Sequence, residues 1–283
     1  MIIRWIWLCC LSLFLSLQVK AQVWTLPAKG WYGNLSYTFF NYSQAFNDNG
    51  DIVDIPVEIN DQTIKLFAQY GITDKLTVQA AVPYKMLNSE LINPLFNTAE
   101  GQYIEGGNLN YLSNVEVGAL YKFYEGKPFI TASFLVEANT TDRNYLTGLQ
   151  TGFNSWAFRP GIGMGWPLNR SWLQYYLGAD FRTNNYTTAV IANLEYGFKP
   201  VDYLYFAANV SLRNPVSESS YDCDCTTQYT ALYLDQQQYL GIALKGGFTI
   251  NNWGFNLAYN IGPASANVAA AGVPSFGIQY KKE

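Results

Sequence analysis

The chain has 283 residues, 17 Lys and Arg against 21 Asp and Glu, 17 % aromatic residues, only 13 % charged residues and no histidine. Without histidine there is no Ser-His or Cys-His nucleophile pair, no ordinary acid–base residue at neutral pH, and none of the commonest metal ligand. The composition therefore points away from familiar enzymes, and no cofactor or metal is expected.

The first 21 residues read as a secretory signal peptide. Arg4 gives a positive start, Ile6 to Leu17 is apolar, and Val19-Lys20-Ala21 precedes Gln22 as a small-residue cleavage site. Cys9 and Cys10 sit inside the apolar stretch rather than after it, which argues against a lipoprotein signal. Loss of Arg4 and Lys20 with the signal leaves 15 basic against 21 acidic residues, a formal charge of −6. No later segment offers the roughly 18 apolar residues of a spanning helix. The remaining 22–283 are expected to form one domain, either an aromatic-rich β-sandwich or a transmembrane β-barrel, and composition leaves both open.

From Trp31 onward, stretches of alternating apolar and polar residues are separated by turns or loops, the mark of strands whose two faces meet different surroundings. In chain order the expected strands lie near 31–42, 62–73, 75–86, 114–124, 130–139, 156–166, 173–182, 190–199, 204–213, 240–249, 255–261 and 272–281. The clearest is 114–124, with Val115, Val117, Ala119, Tyr121 and Phe123 on one face and Glu116, Gly118, Leu120 and Lys122 on the other.

The connections choose between the two folds. Tight ones follow the even strands: Thr73-Asp74, Glu125-Gly126-Lys127-Pro128, Leu168-Asn169-Arg170, Lys199-Pro200-Val201-Asp202 and Asn251-Asn252. Longer ones follow the odd strands, near 43–61, 87–110, 140–153 and 214–236, with shorter ones near 183–187 and 263–271. A sandwich has no reason to keep that parity, whereas bacterial outer-membrane barrels have short periplasmic turns and longer external loops. Trp31, Trp166, Trp172 and Trp253 fall beside the tight turns, where an aromatic girdle would meet the membrane–water boundary. The expected fold is an all-β, up-and-down antiparallel transmembrane barrel of about twelve strands in the outer membrane of a Gram-negative bacterium. Its expected surroundings are outer-membrane lipid, a small-molecule solute and the barrel-assembly machinery. Nucleic acid is not among them, and the oligomeric state is left open.

On the face away from lipid the pattern gathers Lys65, Lys85, Glu116, Lys122, Glu137, Arg159, Asp180, Arg182, Glu195, Lys199, Arg213 and Lys245. Eight bases against four acids predict a constricted, hydrated and somewhat cationic lumen, or a set of ion pairs that fills it. Paired carboxylates could in principle hydrolyse sugars, but ion pairing accounts for these acids more simply. The expected outer loops are acidic: Asp48, Asp51, Asp54, Glu58, Asp61, Glu90, Glu100, Glu105, Asp142, Glu218, Asp222, Asp224 and Asp235 face only Arg143. The Asn47 to Asp54 stretch lacks the spacing of an EF-hand calcium loop. Cys223 and Cys225 lie in the fifth long loop, where a local disulfide or an intermolecular bridge is expected.

Leu66-Phe67-Ala68-Gln69-Tyr70-Gly71-Ile72-Thr73-Asp74-Lys75-Leu76-Thr77-Val78-Gln79-Ala80-Ala81-Val82-Pro83-Tyr84 resembles the strand–turn–strand element of the outer-membrane proteins of the meta-pathway of phenol degradation. The resemblance spans about 20 residues, and Pro160-Gly161-Ile162-Gly163 is similar in style. It implies a transporter-like barrel that passes small hydrophobic or aromatic molecules, and it carries over no binding residue. Two functions follow as expectations: a passive channel for small molecules, or a structural barrel whose acidic loops serve surface assembly or secretion.

Overall fold

The computed structural model describes residues 23–92, 104–218 and 228–282. The expected signal segment 1–21 and both loop cysteines, Cys223 and Cys225, lie outside the described residues. Twelve antiparallel strands close into a barrel: β1 (Trp31–Phe46), β2 (Ile52–Gly71), β3 (Leu76–Leu91), β4 (two segments, Gly107–Leu112 and Glu116–Glu125), β5 (Phe129–Glu137) and β6 (Ala157–Pro167). These are followed by β7 (Ser171–Arg182), β8 (Ala189–Val201), β9 (Leu204–Pro215), β10 (Gln238–Ile250), β11 (Trp253–Ala266) and β12 (Val273–Lys282). Each strand pairs with its sequence neighbours. The seam closes where β1 pairs with β12, from Trp31 opposite Lys282 to Thr38 opposite Ser275. Closure matters because hydrocarbon offers no partner to an unpaired backbone group, and a barrel leaves no edge.

Two solvents shape the strands. Through the middle of the barrel the outward residues are apolar and exposed, among them Leu35, Val82, Val117, Ile162, Leu194 and Leu257, while the inward ones are small or polar. Toward the loop end the polarity inverts. Ile55, Val57, Ile59 and Leu87 point inward and are buried, while Asp54, Glu58, Asn88 and Glu90 are on the outside. Those strand ends stand in water and enclose an apolar core of their own, completed by Tyr42, Leu149 and Leu232.

This inversion corrects the expected first loop. Residues 43–61 are mostly strand, and β1 and β2 form one long hairpin whose turn is confined to Asn47–Asp51. The Asn47 side chain accepts from the backbone N–H of Asn49 and of Asp51, and Gly50 takes a positive φ of 82°. Asp54, Glu58 and Asp61 are thus residues of β2, and Glu90 belongs to β3. The loop near 140–153 carries a small hairpin in which Arg143–Asn144 pairs with Leu149–Gln150.

At the turn end, Trp31 stacks on Tyr280 at 4.7 Å between ring centres and Trp253 meets the same ring edge-on at 5.0 Å. This aromatic girdle spans β1, β12 and β11. Trp172, expected in the girdle, instead shares the inward face of β7 with Gln174 and donates its indole N–H to Glu195 at 2.9 Å.

The stretch before β1 fills the turn end from inside. The backbone N–H groups of Lys29 and Gly71 bond to Gly71 and Gly30 carbonyls, Ala28 donates to the Asp74 carboxylate, and Leu26 donates to Thr77 Oγ1. A Cβ on Gly71 would sit 2.0 Å from the Pro27 carbonyl oxygen, so only glycine lets the two backbones meet there. Further in, the Trp24 ring packs on Phe129 at 4.5 Å and its N–H bonds Gln174, while Val23 is buried against Phe129 and Tyr176.

Two outcomes follow. The purified barrel in detergent should migrate faster unboiled than boiled, and equal mobility with no β signal in circular dichroism would rule out a closed barrel. Trp24→Ala should lower unfolding stability by about 2 kcal/mol, less than the cost of emptying a fully buried aromatic site because the ring is partly buried, measured by denaturant titration in lipid or detergent.

Candidate functional site

Three clusters of charge occupy the lumen, each built by strands that alternation alone had not brought together. The central one gathers around Arg159 on β6. Its guanidinium reaches Glu116 on β4 at 2.9 Å, Glu137 on β5 at 2.6 Å and Asp180 on β7 at 2.8 Å. Glu116 and Glu137 face each other directly in the β4–β5 register, an arrangement that repels unless a cation sits between. Arg182 bridges Glu137 and Asp180, both at 3.0 Å, and lies 3.9 Å from the centre of the Phe153 ring. Arg213 on β9 approaches Asp180 at 2.5 Å. One carboxylate therefore serves three guanidinium groups.

Nearer the turn end, Glu195 accepts from Trp172, Gln174 and Lys245, the last at 2.5 Å. Because Gln174 also accepts from Trp24, this cluster ties the segment before β1 to the barrel wall. At the loop end, Lys85 is paired with Asp61 and faces the Tyr233 ring. Burial pushes the Tyr233 hydroxyl above the ordinary tyrosine range, against the opposing pull of Lys85. Loop residues 228–237 descend into the lumen here: Gln150 donates to the carbonyls of Leu232 and Tyr233, and Tyr42 donates to that of Thr230.

Ten of the twelve charges gathered by sequence lie along the inner wall away from the rims. Lys122 sits at the turn end, paired with Glu125 at 3.1 Å, and Lys199 is exposed at the same rim. Asp61, assigned by sequence to an acidic loop, is buried in the lumen as the partner of Lys85. The expected base excess shrinks accordingly. The signal for Asp61 was its place in the alternation Ile55, Val57, Ile59, Asp61, all buried on one face of β2.

Between the closures at either end lie two adjoining cavities of about 410 and 300 Å³ that share Arg159, Arg213 and Tyr239. The larger is lined by polar Asn193, Asn209, Ser211 and Asn260 and by apolar Val268, Ala269 and Val273. The smaller is lined by Lys65, Lys85, Glu116, Glu137 and Tyr233. A bigger hollow of about 800 Å³ lies on the lipid-facing exterior, among Leu35, Phe206, Phe248, Leu257 and Ile278. Among the described residues no group of three or more His, Cys, Asp or Glu is placed to hold a metal ion.

Arg159→Ala takes a shared cation from three carboxylates at once, leaving Glu137 to Arg182 and Asp180 to Arg182 and Arg213. Breaking a buried ion pair by removing one partner costs about 3–5 kcal/mol, so the variant should lose its heat-resistant folded band at a markedly lower temperature. Unchanged thermal behaviour on gels run after graded heating would mean that water already screens the cluster.

Solved outer-membrane barrels share this architecture. A crystallised outer-membrane channel from Pseudomonas putida F1 superimposes with a TM-score of 0.70 at 15 % identity, covering 94 % of this chain and all of that one. The translocator domain of the autotransporter NalP from Neisseria meningitidis gives 0.52 at 10 % identity over 89 % and 88 % of the two chains. The NanC porin gives 0.51 at 9 % identity over 88 % and 100 %. At such identities the likeness speaks for the fold, that of outer-membrane β-barrels. No curated protein sequence matches. The family model described as putative MetA-pathway of phenol degradation matches residues 46–210, more than half of the chain, and the protein belongs to that family.

Proposed function

We propose that this protein is a passive outer-membrane channel for small molecules, with hydrophobic or aromatic solutes the class that its family suggests. The observation that carries the reading is the hollow interior. A barrel serving only as a scaffold could fill its lumen with packed side chains, whereas this one keeps adjoining cavities of about 410 and 300 Å³ at mid-height. The function is transport rather than catalysis, and the matching channel from Pseudomonas putida F1 is consistent with that.

Both ends of the path carry a cover. At the turn end it is Val23–Gly30, held by Trp24, two side-chain acceptors and a few backbone bonds. At the loop end it is the apolar core around Ile59, Leu87 and Leu232. Passage then requires one cover to yield at a time, which limits flux and keeps the wall from leaking. The turns face the periplasm and the β1–β2 hairpin faces outside, the usual orientation of outer-membrane barrels.

Planar-bilayer recording tests the reading. The intact barrel should show small conductance steps, and a barrel refolded without residues 23–28 should show steps several-fold larger. Silence from both forms would exclude a channel and leave a structural or secretion role. Single cysteines, placed in a background lacking Cys223 and Cys225, should label on intact cells at Asn49 and not at Asn169. The reverse would invert the orientation.

A further inference from the structure

The chamber at mid-barrel is asymmetric in chemistry. Five bases, Lys65, Lys85, Arg159, Arg182 and Arg213, line it. Four acids answer them: Glu116 and Glu137 in the wall, with Asp61 and Asp180 behind Lys85 and the arginines. The described groups thus carry one positive charge in excess. Asp180 is shared among Arg159, Arg182 and Arg213, and among the described residues it is the one carboxylate paired with Arg213.

Arg213 marks where a ligand would be held. It lines both cavities and is 7 % exposed, yet its Nε is buried with no hydrogen-bond partner among the described residues. A guanidinium in the wall offers charge-assisted N–H donors to an acceptor that enters the chamber. Around it, β8 to β11 present Asn193, Ser211, Asn209 and Asn260, with Gly241 and Ala243 leaving room between them. Val268, Ala269 and Ala271, between β11 and β12, and Val273, the cross-strand neighbour of Asn260, give the same cavity an apolar wall.

We propose that the chamber is a binding site for a small monoanion with an apolar body, such as a carboxylate on a hydrocarbon or aromatic frame. The carboxylate lies against Arg213 and the amide row, and the body lies against the valine and alanine wall. This deepens the channel reading and rests on it: the solute pauses here between the two covers, and the chamber selects for one negative charge.

Isothermal titration of the full mature barrel in detergent tests the site, with benzoate as probe and benzyl alcohol and benzylammonium as the neutral and cationic matches. Benzoate should bind saturably and at least tenfold more tightly than either. Arg213→Gln should weaken benzoate at least tenfold and leave benzyl alcohol within about twofold. Ala243→Leu keeps every charge and fills the chamber, so it should weaken both ligands; it guards against an Arg213 variant that fails to fold, with the heat-resistant band as the check. Equal affinity for the three probes, or benzoate binding untouched by Ala243→Leu, overturns the proposal. Bilayer conductance without benzoate binding removes the site and leaves the channel standing. Benzoate binding without conductance keeps the site and removes the channel.

Discussion

Glu116 and Glu137 stand opposite one another on neighbouring strands, and the middle of the barrel is arranged around that fact. Two carboxylates side by side in a narrow lumen repel unless a cation joins them. Arg159 does so from the next strand, with its third donor spent on Asp180. The fork of the guanidinium is what makes a three-way contact possible; a lysine at that position would offer a point charge instead. Asp180 then draws in Arg182 and Arg213, and the cluster extends from β4 to β9 across half of the barrel wall. Lumen side chains that bond across strands act as internal struts for a sheet whose outside rests only on lipid.

The transmembrane part of this fold was legible in the sequence because hydrocarbon imposes a strict period of two. Outward Val117 and Tyr121 and inward Glu116 and Leu120 follow it, until the register shift between Lys122 and Tyr124 interrupts it near the turn. Beyond the membrane the same period continues with the polarity exchanged. Ile55, Val57 and Ile59 turn inward, so a reading keyed to apolar-outward strands stops at residue 62 and takes the rest for loop. Asp61 was misplaced for that reason alone. The alternation also tells which face a side chain takes and never which strand lies beside it. The ion pairs of Arg159 depend on register, and register is set by turns and bulges spread over the whole chain. Trp172 was misassigned by position: it lies beside a turn, as girdle residues do, but its parity matches Gln174 and Asp180 rather than Leu173.

The segment before β1 carried no periodic signal, being too short and too irregular to declare a role. Its role comes from contact with groups already fixed by the barrel, namely the Gly71 backbone, Thr77, Phe129 and Gln174. The cavities escaped sequence reading for the same reason, since they are what remains after two separate pieces of chain enter the lumen from opposite ends. The proposed transport role rests on the hollow interior, and the chemistry of that interior gives it a polarity.

The β1–β2 hairpin has one more consequence. A strand of 16 residues at about 3.3 Å each is roughly 50 Å long, and only 9–11 residues are needed to cross a bilayer. The surplus stands in water as a paired and twisted ridge, stiffened by inward packing of Tyr42, Ile55 and Val57. A floppy loop offers each visitor a different shape, but this ridge offers the same one every time. An antibody or a phage fibre meeting it pays little entropy to fix its target. A packed ridge at the loop end is in this way also a fixed shape for recognition.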